Sequence, residues 1–327
     1  MHIQPFTVLT PDAVLDALGS IGLRGDGGLL ALNSYENRVY QVGIEDGAPL
    51  VAKFYRPARW SDEAILEEHA YTLELTEHEL PVVAPLRDPA GRTLHHHGGY
   101  RFAVYPRRGG RHLELDDVSR LTPMGRFMAR IHNIGALRPF AHRPALSVEH
   151  FGEESYRFVL EQRFVPADLV TAYRSVAEDV LARVRACFRR AGEVDLIRLH
   201  GDCHLGNVLW TDDGPHFVDF DDCRMGPAVQ DLWMLLSGGR SAMTLQLAYL
   251  LDGYSDFREL DPRELHLIEA LRTLRMLHHS AWIARRWGDP AFPRAFPWLD
   301  SPRYWEDQIL ALREQAALMD EPPLAWD

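Results

Sequence analysis

Residues Leu199 to Asp222 read LHGDCHLGNVLWTDDGPHFVDFDD, with six aspartates and an asparagine set between apolar runs. The runs around Val208 to Trp210 and His216 to Phe220 flank the turn-like DDGP, which predicts a β-hairpin whose ends approach each other. Asp202 and Asn207 on the loop ahead of it, and Asp219 at the end of its second strand, would then converge. Convergent oxygens suit a hard divalent cation, and Mg²⁺ accepts one or two protein oxygens while keeping water and substrate phosphates. Asn207 and Asp219 fit that ligand set. Asp202, close to the metal but not necessarily on it, is placed to accept a proton from an attacking hydroxyl, the carboxylate role in phosphoryl transfer. His200 and His204 would position the loop. Acidic residues at strand ends are often solvated turns, and Asp212, Asp213 and Asp222 are read that way.

A second candidate comes from composition. Lys53 is the single lysine among 35 basic residues, the rest being arginine. A chain that uses arginine wherever a generic positive charge serves keeps lysine where a guanidinium fork will not do. The plainer alternative is one surviving surface lysine. The net charge of −12 disfavours nucleic acid or an anionic membrane as partner, since either needs a clustered basic face. Without a signal-like opening or an apolar run long enough to span a bilayer, a cytoplasmic protein is expected. The three cysteines, Cys187, Cys203 and Cys223, form no CxxC and suggest neither a disulfide framework nor a zinc site. They are read as reduced, small packing residues.

Positioning these residues requires a scaffold of two kinds. From Leu29 to Pro57, LLALNSYENRVYQVGI and LVAKFYRP around EDGAP predict paired strands that carry Lys53. Ser61 can cap a helix with Asp62 and Glu63 in its first turn, continued by Ile65, Leu66, Tyr71, Leu73 and Leu75 up to Leu80-Pro81. Two further strand candidates precede PRRGGR, the candidate boundary. Beyond it helices dominate: Met124, Phe127, Met128 and Ile131 share one face, and Glu149–Ala191, Ser241–Tyr254, Glu264–Trp287 and Tyr304–Met319 all read as helical. The division expected is 1–105, a small β-rich lobe, and 106–327, a larger α-helical lobe.

The octet HGDCHLGN, His200 to Asn207, resembles the catalytic loop of aminoglycoside phosphotransferase-like and choline kinase-like enzymes, and FVDFDD resembles their metal-binding segment. Together with NSYENRVYQ, VAKFYRPARW, ILEEH, GPAVQDLWMLL and DPAFPRAFPWL, the chain is similar nearly end to end to the bacterial stress response kinase A family. The resemblance implies an α+β, protein kinase-like two-lobed fold with ATP between the lobes and adenine near Phe102 to Pro106. It implies Asp202 as catalytic base, Asn207 and Asp219 as Mg²⁺ ligands, His200 as support of the loop and Asp231 as its brace. Lys53 resembles the strand lysine that contacts the α and β phosphates, with an acidic helix residue holding it. Glu67 and Glu68 lie about 100° apart on a helix, so only one faces the lysine well, and the spacing to Leu73 and Leu75 favours Glu68. The loop Asn33 to Asn37 departs from the kinase pattern in having no glycine. Backbone N–H groups and the Ser34 hydroxyl are left to meet phosphate. Glu36, placed at the ATP site by the resemblance, is assigned to loop geometry or to a partner such as Arg38.

The acceptor stays open. The resemblance implies a stress-response serine/threonine protein kinase, whereas the short span from Asp219 to Asp231 suits a small hydroxylated metabolite as well. A nucleotide-binding regulatory pseudokinase is the third reading, and a monomer is expected. His95 to His97 alternate faces if they lie on a strand, so a solvated hairpin tip is preferred to a metal site. Arg272, Arg275, His279, Trp282 and Arg286 make a helical stripe that either borders the acceptor or pairs with acidic residues.

Overall fold

The computed structural model describes residues 6–112, 117–212 and 214–325. They form two compact units. The first holds the described residues up to 112, Phe140–Arg143 and Asp202–Cys223; the second holds Asp117–Pro139, Pro144–Gly201 and the described residues from Arg224 on.

In the first unit, α1 (Pro11–Gly19) starts at Thr10, whose hydroxyl accepts from the Ala13 N–H. It packs beside an antiparallel sheet of β1 (Gly25–Leu32), β2 (Arg38–Ile44), β3 (Leu50–Phe54), β5 (Tyr100–Pro106) and β4 (His95–His97), in that spatial order. β3 is central: Lys53 lies opposite Val39 on one side and Ala103 on the other. Strand alternation then decides where its side chain goes. Ala52 and Phe54 enter a core with Val14, Leu18, Val42, Phe102 and Val104, so Lys53 projects from the other face. There lies α2 (Asp62–Glu77), capped by Ser61 as the sequence predicts. Its Ile65 packs with Tyr55, Leu94 and Ala103, which brings Glu68 of the helix over the lysine.

A smaller sheet contains β6 (Arg111–His112), β8 (Val208–Thr211) and β9 (Gly214–Phe217). Phe217 N–H donates to Pro81 O at 2.8 Å and Val83 N–H to Phe217 O at 3.1 Å, so this unit draws on chain from both sides of residue 106. At Gly110 a Cβ would lie 2.8 Å from Leu209 Cβ, a close approach that only glycine permits. The predicted hairpin is present, but β9 ends at Phe217 rather than Phe220. Beyond it, Phe220 to Asp222 turn into a single 3₁₀ turn.

The second unit is mostly helical: α3 (Leu121–Gly135), α4 (Glu154–Glu161), α5 (Val170–Ala191), α6 (Val229–Trp233), α7 (Arg240–Tyr254), α8 (Ile268–Arg285), α9 (Ala291–Ala295) and α10 (Pro302–Asp320). The stretch predicted helical from Glu149 to Ala191 is broken into a π-helical turn, α4 and α5. Met124, Met128 and Ile131 are buried on α3. A Cβ on Gly125 would run into Leu250 O, and one on Gly253 into Thr122 O, so these glycines let the α3 and α7 backbones touch. β7 (Ile197–Leu199) and β10 (Arg224–Gly226) pair antiparallel with Leu199 opposite Arg224. That pairing closes the base of the 200–223 excursion.

The architecture is α+β, a small antiparallel-sheet unit and a larger helical unit. Among the described residues no helix is long and apolar enough to cross a membrane. His95 to His97 form β4 rather than a solvated tip: His95 is buried against Phe102, at 5.3 Å between rings, while His96 bonds Asp62 at 2.9 Å. The turn itself is Gly98-Gly99, both at positive φ.

Candidate functional site

Lys53 Nζ lies 3.4 Å from Glu68 Oε1, 3.1 Å from Asp219 Oδ1 and 3.1 Å from Asp221 Oδ1. Three carboxylates from a helix and a loop thus surround the single lysine. Burial works against its ammonium, but the charges of Asp219, Asp221 and Glu68 outweigh that and hold its pKa well above the ordinary value. Burial pushes the Glu68 pKa up, with Lys53 and Arg143 opposing it. At Asp221 burial would also raise the pKa, yet Arg59 and Lys53 prevail and bring it to about 2.

The two acidic side chains of α2 are divided as their angular separation requires. Glu68 is buried and faces Lys53. Glu67 turns to the backbone of residues 141–143.

Asp219 takes a left-handed backbone, φ 59° and ψ 65°. For a residue with a Cβ this conformation costs free energy, and such residues gather at functional sites. Its side chain stays 53% exposed, leaving an oxygen open to ligate. Asn207 is held by both ends of its loop. Its side-chain amide donates to Asp202 O at 2.9 Å, and its carbonyl accepts from Val218 N–H at 3.0 Å. With the N–H committed, the amide oxygen is the group left for a ligand. Asp202 stands one side of this loop with its side chain 23% exposed. His204 Nδ1 accepts from Gly206 N–H at 3.0 Å, so a neutral ring carries its proton on Nε2, 3.5 Å from Asp202 Oδ2. The two residues immediately before Asp202 are fixed in the second unit. The buried Asp231 carboxylate accepts from His200 N–H and Gly201 N–H, both at 2.8 Å, and from His132 Nε2 at 3.3 Å.

The glycine-free loop 33–37 is held by one arginine. Arg56 donates from its backbone to Asn37 Oδ1 at 3.0 Å, and from its side chain to Glu36 O at 2.9 Å and Tyr35 O at 3.3 Å. Glu36 Oε1 is 2.9 Å from Arg56 Nε and 3.8 Å from Arg59. Arg56 is thus a partner of Glu36, and Arg38 donates to the Tyr35 and Asn37 carbonyls of the same loop. Ser34 is half-buried in the same loop. Asp222 is likewise no solvated turn: Arg59 bonds it at 2.8 Å and bonds Asp221 as well. Asp212 is exposed as read, and Asp213 lies outside the described residues. Cys187, Cys203 and Cys223 are buried, and none is in a disulfide.

The sequence alone does not single out Arg56, Arg59, Arg143 or Asp221. The first two sit in the quoted VAKFYRPARW and the last in FVDFDD, where a periodicity argument sees only charges. Arg143 carries no local signal, since its partners are 75 or more residues away in sequence.

Comparison with known proteins bears on this geometry. Residues 29–268 match the model of the phosphotransferase enzyme family. The chain is 45% identical over 319 residues to stress response kinase A of Escherichia coli strain K12, covering 98% of this chain and 96% of that one. It is 44% identical over the same length and shares to serine/threonine protein kinase RdoA of Salmonella typhimurium. Among solved structures, an amicoumacin kinase in complex with AMP-PNP, Ca²⁺ and Ami superposes with a TM-score of 0.71 at 19% identity, over 91% of this chain and 90% of that one. A spectinomycin phosphotransferase in complex with ADP and its antibiotic superposes at 0.66 with 14% identity, over 93% and 98%.

Proposed function

The chain belongs to the phosphotransferase enzyme family and is a kinase, and from that premise we propose that it transfers the γ-phosphoryl group of ATP, in the presence of Mg²⁺, to a serine or threonine hydroxyl of a protein. The observation that carries the reading is the convergence of the lone lysine with Glu68 and Asp219, at 3.4 and 3.1 Å. Such a cluster gives ATP phosphates a cation whose charge the surrounding carboxylates secure against the cost of burial, and sets an oxygen ligand for their metal beside it.

The donor set fits a hard cation. The exposed carboxylate of Asp219 and the amide oxygen of Asn207 are the ligand types Mg²⁺ takes, supplemented by phosphate and water. When bound, Mg²⁺ supplies neutralisation of charge on the transferring group. Lys53 orients the α and β phosphates, kept in place by Glu68. Loop 33–37, clamped by Arg56, offers backbone N–H groups and the Ser34 hydroxyl, and Glu36 supports the clamp through its ion pair. Adenine lies against residues 102–106. Asp202 accepts the proton of the attacking hydroxyl as its oxygen bonds to phosphorus and ADP departs; the His204 N–H beside it steadies the carboxylate.

The relative named as a serine/threonine protein kinase supports a protein acceptor. One observation favours a second reading. Between Asp219 and Asp231 the chain makes only a 3₁₀ turn, β10 and the start of α6, so no long segment is there on which an extended peptide would dock, and a small hydroxylated metabolite suits the site as well. A cytoplasmic monomer with no nucleic-acid or membrane partner fits the charge of −12. Incubation with γ-labelled ATP and Mg²⁺, once with a cell protein extract and once with a metabolite extract, tests this. Label is expected in protein bands; label in small molecules selects the second reading, and none in either leaves a nucleotide-binding regulator.

A further inference from the structure

The residue Arg143, far in sequence from every motif of the site, lies at its centre. Its segment is seized first by the backbone: Glu67 Oε1 accepts from Ala141 N–H at 2.6 Å, and Glu67 Oε2 from His142 N–H at 2.8 Å and Arg143 N–H at 2.9 Å. Three successive N–H groups converge on one carboxylate, a concave arrangement that favours an anion and fixes the direction in which the next side chain leaves. That side chain goes fully inside, with no exposed surface. Its guanidinium spreads over Trp60 at 4.5 Å and spends its donors in three directions. Nη2 bonds Glu68 Oε2 at 2.9 Å; Nε bonds Ala64 O at 2.8 Å; Nη1 bonds Asp221 O at 2.6 Å and Cys223 O at 3.4 Å.

The contacts to Glu68 and to the Asp221 and Cys223 carbonyls constrain groups the reaction uses. Glu68 has two oxygens, and Arg143 holds one while the other faces Lys53. The carbonyls of Asp221 and Cys223 lie two and four residues past Asp219, so anchoring them limits how far Asp219 can drift from its left-handed conformation. Only a planar fork bonds a carboxylate, a helix carbonyl and a loop carbonyl at once; an ammonium in its place reaches fewer of them. We propose that Arg143 is a positioning residue of the phosphotransfer site, a strut held by Glu67 that sets the Lys53–Glu68 pair and the Asp219 loop at a common spacing. The proposal rests on the nucleotide-and-metal reading given above.

The test is titration of a non-hydrolysable ATP analogue into the full chain, calorimetrically, over a range of Mg²⁺ concentrations, with the melting temperature recorded for every variant. Arg143→Lys keeps the charge and loses the fork. It is expected to weaken analogue binding tenfold or more at low Mg²⁺, with partial recovery at high Mg²⁺, because a displaced Asp219 ligates poorly rather than not at all. Glu67→Gln, on a half-exposed position, leaves one acceptor for the three N–H groups and is expected to shift binding the same way by a smaller factor. It decides alone if Arg143→Lys does not fold. A folded variant with a lowered melting temperature but the parent's affinity and Mg²⁺ dependence would overturn the proposal and leave Arg143 a packing residue. Failure of the parent itself to bind the analogue would instead remove the nucleotide reading beneath it.

Discussion

At the scale of single residues, the account gives different work to carboxylates that look alike in the sequence. Asp221 is buried between Lys53 and Arg59, and their charges bring its pKa to about 2; it is an anchor. Asp219 is exposed, strained and next to the lysine, as a ligand should be. Asp202 is partly exposed, and its side chain stands beside His204. The substitution Asp202→Asn removes a proton acceptor without altering shape. Turnover should fall by roughly two orders of magnitude or more, consistent with loss of a general base, while ATP affinity stays near the parent's. Steady-state turnover measured beside nucleotide binding checks this, and undiminished turnover would take Asp202 out of its role. Lys53 was legible at this scale because composition isolates it, and Asp202, Asn207 and Asp219 because their spacing implies a hairpin. Arg143, Arg59 and Asp221 were not, because what defines them is a meeting of distant segments, and no local pattern encodes that.

At the scale of elements, helix faces and strand alternation explain most of the placement. Alternation on β3 sends Ala52 and Phe54 inward and Lys53 outward, and the turn of α2 separates Glu67 from Glu68; both follow from period alone. The end of β9 does not. HFVDF reads as a strand to Phe220, yet Asp219 leaves the ladder two residues after Phe217, where the left-handed turn competes with extension and tertiary bonds to Arg59 and Arg143 decide the outcome. α6 shows another trade. Its first N–H, on Val229, donates to Glu264 Oε2 at 2.8 Å. Burial raises the pKa of that carboxyl to about 7, with the Val229 bond and Arg258 opposing and Asp261 adding to it. A carboxyl raised from its unfolded value contributes stability that is fully present below about pH 4.5 and is lost as pH rises through about 7, up to about 3 kcal/mol. Glu264→Gln does not titrate, so the melting temperature of the variant relative to the parent should climb between pH 5 and pH 8. A difference that stays flat over that range would contradict the assignment.

At the scale of the whole molecule, a β-rich unit and a helical unit were both legible in the chain, since glycine and proline punctuation gives way to helical periodicity after PRRGGR. What composition does not show is that Asp202–Cys223 packs with the β-rich unit while His200 and Gly201 are bound by Asp231 in the helical one. Bonds from Phe217 to Pro81 and Val83 cause this, and they join parts of the chain more than a hundred residues apart. The consequence is that Lys53, Glu68, Asn207 and Asp219 share one unit, and the central claim is that Lys53 among them meets the phosphates of ATP. Its most direct measurement uses the fact that the chain has one lysine. An acyl-phosphate analogue of ATP transfers its acyl group to an amine near the phosphates, and mass spectrometry of the digested protein locates the adduct. The account predicts one dominant adduct, at Lys53, abolished by excess ATP with Mg²⁺. Labelling confined to the amino terminus, or a Lys53 adduct that ATP and Mg²⁺ do not compete away, would contradict it.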